Sequence, residues 1–155
     1  MKTDNLGAIG HLKAVDIMTK DVVCLNEDLP LHECERMLLD NGISGAPVID
    51  TTGRLRGVVS KTDLVSYHAD QADEDLETGE PTRIEEMRGA HVVDFNTASA
   101  QDVMTPVPCV APETSSIAEL AALMVRREVH RVLICRGQKV VGIVSSMDIL
   151  RALAV

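Results

Sequence analysis

Apolar residues along this chain change period in a set order, and the order occurs twice. After the short apolar run "VVCL" at 22–25, Leu31, Cys34 and Leu38 recur at i, i+3 and i+7, which places one stripe on a helix. "GAPVID" and "LRGVVS", parted by the turn-forming "TTGR", read as two strands of a hairpin. A second helix is expected from about Lys61 to His68. The second passage repeats the series: "PCV" at 108–110, then Ile117, Leu120 and Met124 on one stripe. "RVLIC" and "KVVGIVS" follow around "RGQK", with a last helix from about Ser146 to Ala154. The first helix of each passage carries a start signal, Asp28 with Pro30 in one and Ser116 followed by Glu119 in the other.

Residue identities match as well as periods. "DIMTKDVVCL" at 16–25 answers "DVMTPVPCV" at 102–110, and "GVVSKTDL" at 57–64 answers "GIVSSMDIL" at 142–150. Asp16 and Met18 lie 86 residues before Asp102 and Met104, whereas Gly57 and Asp63 lie 85 before Gly142 and Asp148, so a one-residue gap falls in a loop. The chain is therefore read as an α+β protein of two strand-helix-strand-strand-helix units, at 12–68 and 99–155, joined by a linker at 69–98. Units of some fifty residues are marginal alone, so the two are expected to share apolar faces. The second helix of each unit carries Leu64 and Val65, or Ile149, Leu150 and Leu153, on faces larger than one small core absorbs, which suggests a homodimer.

The linker changes the electrostatic picture. From 70 to 86 it holds eight carboxylates and one arginine, most of the chain's net charge of −9. It reads as a solvated tether with a frayed helical turn at Ile84 to Met87; the sharper alternative is an acidic segment that docks on a cationic partner or covers a pocket. With that charge, one Tyr, one Phe and no Trp, nucleic acid is not an expected partner. The four cysteines have no CxxC or zinc spacing and read as small hydrophobes in a reducing cytosol, with no metal site. "MKTDNLGAIGHLKAVDIM" lacks the character of a signal peptide, and no stretch approaches the ~20 apolar residues of a membrane span, so a cytoplasmic location is expected.

The shared "G-h-h-S-x-x-D" (h apolar) has two readings. Ser60 with Asp63, and Ser145 with Asp148, have the spacing of a capping box at a strand-to-helix junction, which needs no ligand. The chemical alternative uses the amide donors and positive dipole end of a helix N-terminus for phosphate, with the Ser hydroxyl as a further donor. The ionised Asp, an acceptor only, can take the two hydroxyl protons of a ribose diol.

This motif, closing a strand-helix-strand-strand-helix unit that opens with "DIMT" or "DVMT", resembles the cystathionine beta-synthase (CBS) domain over residues 12–68 and about 99–155. The resemblance implies a pair of repeats packed as a pseudo-twofold module. Such pairs commonly associate into flat dimers and bind AMP, ADP, ATP or S-adenosylmethionine as regulatory ligands in clefts between the repeats. It assigns ribose to Asp63 and Asp148 and phosphate to Ser60 and Ser145, with Thr62 an additional donor. Base contacts would come from the loops at Thr19 to Val22 and Thr105 to Val107, and from backbone at Ser44 to Pro47, which includes Ala46, and at His130 to Leu133. "VHRVLI" resembles nucleotide-sensing repeats in which His130 and Arg131 approach phosphate, but the first copy has Ser44 and Gly45 there, so the two clefts should differ.

No clustered nucleophile and base, HExxH or GxSxG is present, so no enzymatic activity and no resident cofactor are expected. A regulatory module acting with an unidentified effector protein is the leading expectation. A dimerisation unit whose Ser and Asp serve only as helix caps is the alternative.

Overall fold

The computed structural model describes residue 7 and residues 9–78, 98–106 and 108–154. The expected series of elements is present. In the first repeat, β1 (Leu25–Asn26) leads through α2 (Leu31–Asp40) to β2 (Gly45–Ile49), then β3 (Leu55–Ser60) and α3 (Lys61–Thr78). In the second, β5 (Val110–Pro112), α5 (Ile117–Arg127), β6 (Arg131–Arg136), β7 (Lys139–Ser145) and α6 (Ser146–Leu153) follow the same path. The first strand pairs parallel with the second across its helix, and the second pairs antiparallel with the third, in both repeats. Even the register shift recurs, between Val48 and Ile49 and between Ile134 and Cys135.

One feature is absent from any local pattern: each repeat's opening segment packs on the other repeat. The "DIMT" and "DVMT" segments begin with single helical turns, α1 (Ala14–Ile17) and α4 (Ala100–Val103). Asp16 and Asp102 close these turns by accepting the N–H of Lys13 and Ser99, each at 2.8 Å. Ala14 N–H donates to the Ser115 carbonyl at 2.7 Å, and Ala100 N–H to the Leu29 carbonyl at 2.9 Å. Beyond α4, β4 (Thr105–Pro106) extends the first sheet to the order β1-β2-β3-β4. Beyond α1, Thr19 makes the matching antiparallel bridge to Ile143 of the second sheet.

Burial follows the exchange. Ala14 is fully buried in a core with Ile117, Leu120, Val132, Ile134 and Val144 of the second repeat. Ala100 is fully buried among Leu25, Leu31, Cys34, Leu38, Val48 and Val59 of the first. The exchange also explains the Met and the Gly of the two motifs. A Cβ on Gly57 would stand 2.7 Å from the Thr105 carbonyl oxygen and 2.9 Å from Met104 Sδ, and one on Gly142 would stand 2.7 Å from Met18 Cγ. Glycine is needed where the methionine crosses the strand.

Some expected boundaries move. The opening strands begin at Leu25 and Val110, so Cys24 and Cys109 precede them. The parallel partners Val48 and Leu133 set that register, which an apolar run does not reveal. α3 runs through Thr78, ten residues past His68, into the acidic segment, where good helix formers such as Ala69, Gln71 and Ala72 continue it. The helical turn expected at Ile84 to Met87 lies outside the described residues. Of the apolar residues on the second helix of each repeat, the core takes Leu64 and Ile149 and leaves Val65, Leu150 and Leu153 exposed.

The glycine contacts yield a stability prediction. Gly57→Ala sets a methyl against a backbone carbonyl that cannot turn aside and should cost about 2–3 kcal/mol, within the range for overpacking. Gly142→Ala meets a flexible methionine, should cost about 1 kcal/mol, and should be partly rescued by Met18→Ala. Urea unfolding midpoints check this; equal losses without rescue would contradict the packing.

Candidate functional site

At the end of β3 the Ser60 N–H and hydroxyl both donate to Asp63 Oδ2, at 2.7 and 2.8 Å, while Asp63 N–H donates back to Ser60 Oγ at 3.2 Å. Ser145 and Asp148 repeat this with distances of 2.8, 2.8 and 3.2 Å. Both motifs are thus complete capping boxes. The first helical N–H is also taken, from Lys61 to the Ser44 carbonyl and from Ser146 to the His130 carbonyl, each at 2.9 Å. These bonds have a chemical consequence: each serine hydroxyl has one proton and gives it to the aspartate, so it must rotate before it can donate to a ligand.

The second carboxylate oxygen differs between the copies. Asp148 Oδ1 accepts from Arg151 Nη1 at 3.3 Å. No described residue donates to Asp63 Oδ1, because Ser66 stands where the second copy has Arg151.

Asp63 opens on a cleft of about 530 Å³ between the repeats. Of the residues singled out in the sequence, Ser60, Asp63, Ala46, Pro47, Thr105, His130 and Arg131 line it together. Thr105 arrives there on β4, so the exchanged segment forms part of the wall. Thr19, Thr62, Ser145 and Asp148 do not line this cleft. Thr62 is exposed on α3, and Thr19 is on the second sheet beside Ile143. The remaining walls are mainly aliphatic, from Val58, Pro108, Val129, Leu133 and Ile143.

Among the described residues, the charges lining the cleft are two guanidiniums and one carboxylate, in a chain whose net charge is −9. Arg131 Nη1 donates to Ser44 Oγ at 2.7 Å, and among the described residues no carboxylate pairs with it. The bond joins the repeats, Arg131 of the second to Ser44 of the first, the position that answers His130. Arg127, in the last turn of α5, is the second guanidinium. Sequence reasoning missed it, since a basic last turn is an ordinary helix signal. Cys109 also lines the cleft; burial pushes its thiol up from the ordinary value, and Arg127 draws it partly back. Its protonated thiol is one more small apolar surface at neutral pH.

Among the described residues the site is therefore a concave surface with aliphatic walls, a carboxylate oxygen from the first repeat to which none of them donates, and two cations from the second. Among the described residues no helix is long and apolar enough to cross a membrane.

Comparison with known proteins agrees with this architecture. The chain is 32% identical over 155 residues to protein MJ1426 of Methanocaldococcus jannaschii, with 89% of each covered. The fold matches the crystal structure of CBSX2 in complex with AMP, with a TM-score of 0.70, 21% identity and coverage of 92% of this chain and 96% of that one. It matches equally the CBS domain pair of protein MJ0100 in complex with 5-methylthioadenosine and S-adenosyl-L-methionine, with a TM-score of 0.69, 21% identity and coverage of 93% and 97%. The model of the CBS domain matches twice, at residues 14–70 and 100–155, and the chain belongs to the CBS domain family as a tandem pair.

Proposed function

We propose that this chain is a cytoplasmic, non-catalytic regulatory module that takes an adenosine-containing ligand, AMP, ADP, ATP or S-adenosylmethionine, in the Asp63 cleft. The observation that carries the reading is that Asp63 Oδ1, with no donor among the described residues, and the Arg131 guanidinium, with no carboxylate partner among them, line one aliphatic-walled cleft. A ribose diol suits the first and a phosphate or carboxylate the second. The base would lie between aliphatic side chains, where burying about 100 Å² of ring contributes roughly 2.5 kcal/mol without aromatic stacking. The AMP and S-adenosylmethionine named for the two structural neighbours support the adenosine class.

Regulation follows from where the groups come from. Asp63 belongs to the first repeat and Arg131 to the second, so a ligand bridging them favours the relative placement of repeats that suits both. An effector protein that reads this placement would complete the device. The unpaired cysteines suit a reducing compartment.

The helices supply the surface for a homodimer. Leu39 and Val65 are 68% and 67% exposed on α2 and α3, and Val125 and Leu150, at the equivalent positions of α5 and α6, are 78% and 54% exposed. A groove of about 320 Å³ between α2 and α3 continues this face. Two matching apolar patches suit an isologous pair. In sedimentation at high micromolar concentration the chain should run as a dimer, and Val125→Glu with Leu150→Glu should make it monomeric. A wild-type monomer would remove this part of the reading.

The competing reading, a ligand-free dimerisation unit, has one observation in its favour: the capping boxes employ the N–H and hydroxyl protons of Ser60 and Ser145 and the N–H of Asp63 and Asp148. Calorimetry separates the two. Asp63→Ala should cost roughly 0.5–2 kcal/mol of stability as a lost cap under either reading, but abolish binding at the cleft only if the carboxylate holds ribose. Arg131→Ala should weaken AMP or ATP ten- to a hundredfold, the worth of a charge-assisted hydrogen bond of about 1.5–3 kcal/mol, and leave adenosine almost unchanged. Equal losses for adenosine and ATP would withdraw the phosphate role from Arg131. No heat or thermal shift with any adenosine ligand would favour the ligand-free reading.

A further inference from the structure

The two G-h-h-S-x-x-D junctions are identical in their capping bonds and differ in what meets the outer carboxylate oxygen. We infer that Arg151 acts as a lock on the Asp148 junction, so that each chain carries one tight adenosine site, at Asp63, and one junction held in its capped state. This inference rests on the ligand reading above and goes beyond it in assigning a stoichiometry and the residue that sets it.

Two asymmetries act in the same direction. Arg151 Nη1 reaches Asp148 Oδ1 at 3.3 Å from the next turn of α6, so a diol arriving there must displace an existing donor. At Asp63 the matching position is Ser66, and no described residue donates to Oδ1. The second asymmetry is the missing cation. Arg131 and Arg127 both line the Asp63 cleft, and the positions that correspond to them in the first repeat, Gly45 and Asn41, carry no charge.

Magnitudes rank these effects. Arg151 is 73% exposed in its side chain, so its ion pair is screened and worth at most about a fivefold change in affinity. Loss of a phosphate-facing guanidinium is worth about ten- to a hundredfold. Together they separate the two junctions by roughly one and a half to two and a half orders of magnitude, enough that one is filled before the other. Arg151 is the smaller contributor but the one a single substitution can release, because it packs on the surface of α6 and not in a core.

Titration calorimetry of the full chain with ATP, followed by adenosine, tests the assignment. Wild type should show one tight event per chain. Arg151→Ala should tighten the second, weaker event two- to fivefold and leave the first unchanged. The reciprocal variant Ser66→Arg, at an exposed position of α3, should weaken the first event by a similar factor with its unfolding midpoint unaltered. Two equal events in wild type would overturn the single-site assignment while leaving the ligand reading in place. Weaker second-site binding in Arg151→Ala would make Arg151 a ligand cation, and the lock would be wrong. Absence of any binding in wild type would remove the ligand reading itself, and the lock with it.

Discussion

The structure depends on the exchange of opening segments between repeats. Each segment runs over the other repeat's sheet, buries an alanine in its core and lays a methionine across a strand glycine. A repeat of this size buries a smaller share of its apolar surface and is marginal by itself. With the exchange, removing one repeat also strips the other of a core residue and an edge strand or bridge. The two halves thereby share their cores, and the pattern repeated within the chain, D-h-M-T answering G-h-h-S-x-x-D, describes the two sides of one contact.

The candidate site is a product of this arrangement. β4 carries Thr105 to the edge of the first sheet, where it faces the cleft with Ser60 and Asp63. The second repeat contributes His130, Arg131 and Leu133 from the start of β6. A cleft built across the exchange links occupancy to the geometry between repeats, which is what a sensor requires and a helix cap does not. The capping box and the ligand role are also compatible at the level of atoms. Oδ2 of Asp63 serves the cap, and Oδ1 has no donor among the described residues.

Much of this was legible before any coordinates. The duplication, the order of elements, the hairpins and the capping spacing are local, and they depend on periods of 2 and 3.6 residues and on short side chains reaching three residues along. That Arg131 has no charged counterpart, Gly45 standing at its position in the first repeat, was also visible, because it follows from aligning the chain with itself. Less reliable were strand starts, since Cys24 and Leu25 are equally apolar and only the parallel partner Val48 decides which is paired. Which of the apolar residues on the second helices would be buried was not legible, because those helices are apolar on more than one side and neighbours distant in sequence divide them between core and surface.

What the sequence determined by itself is a twofold repeat of strand-helix-strand-strand-helix units with a capped serine and aspartate in each, because those features arise from contacts within a few residues. What only the tertiary structure decided is which segment crosses to which sheet, that Arg127 joins Arg131 beside Asp63, and that the Arg151 side chain turns back onto Asp148 Oδ1. These depend on side chains and strands brought together from opposite halves of the chain, or on a rotamer choice on a helix surface, and nothing in local periodicity encodes either.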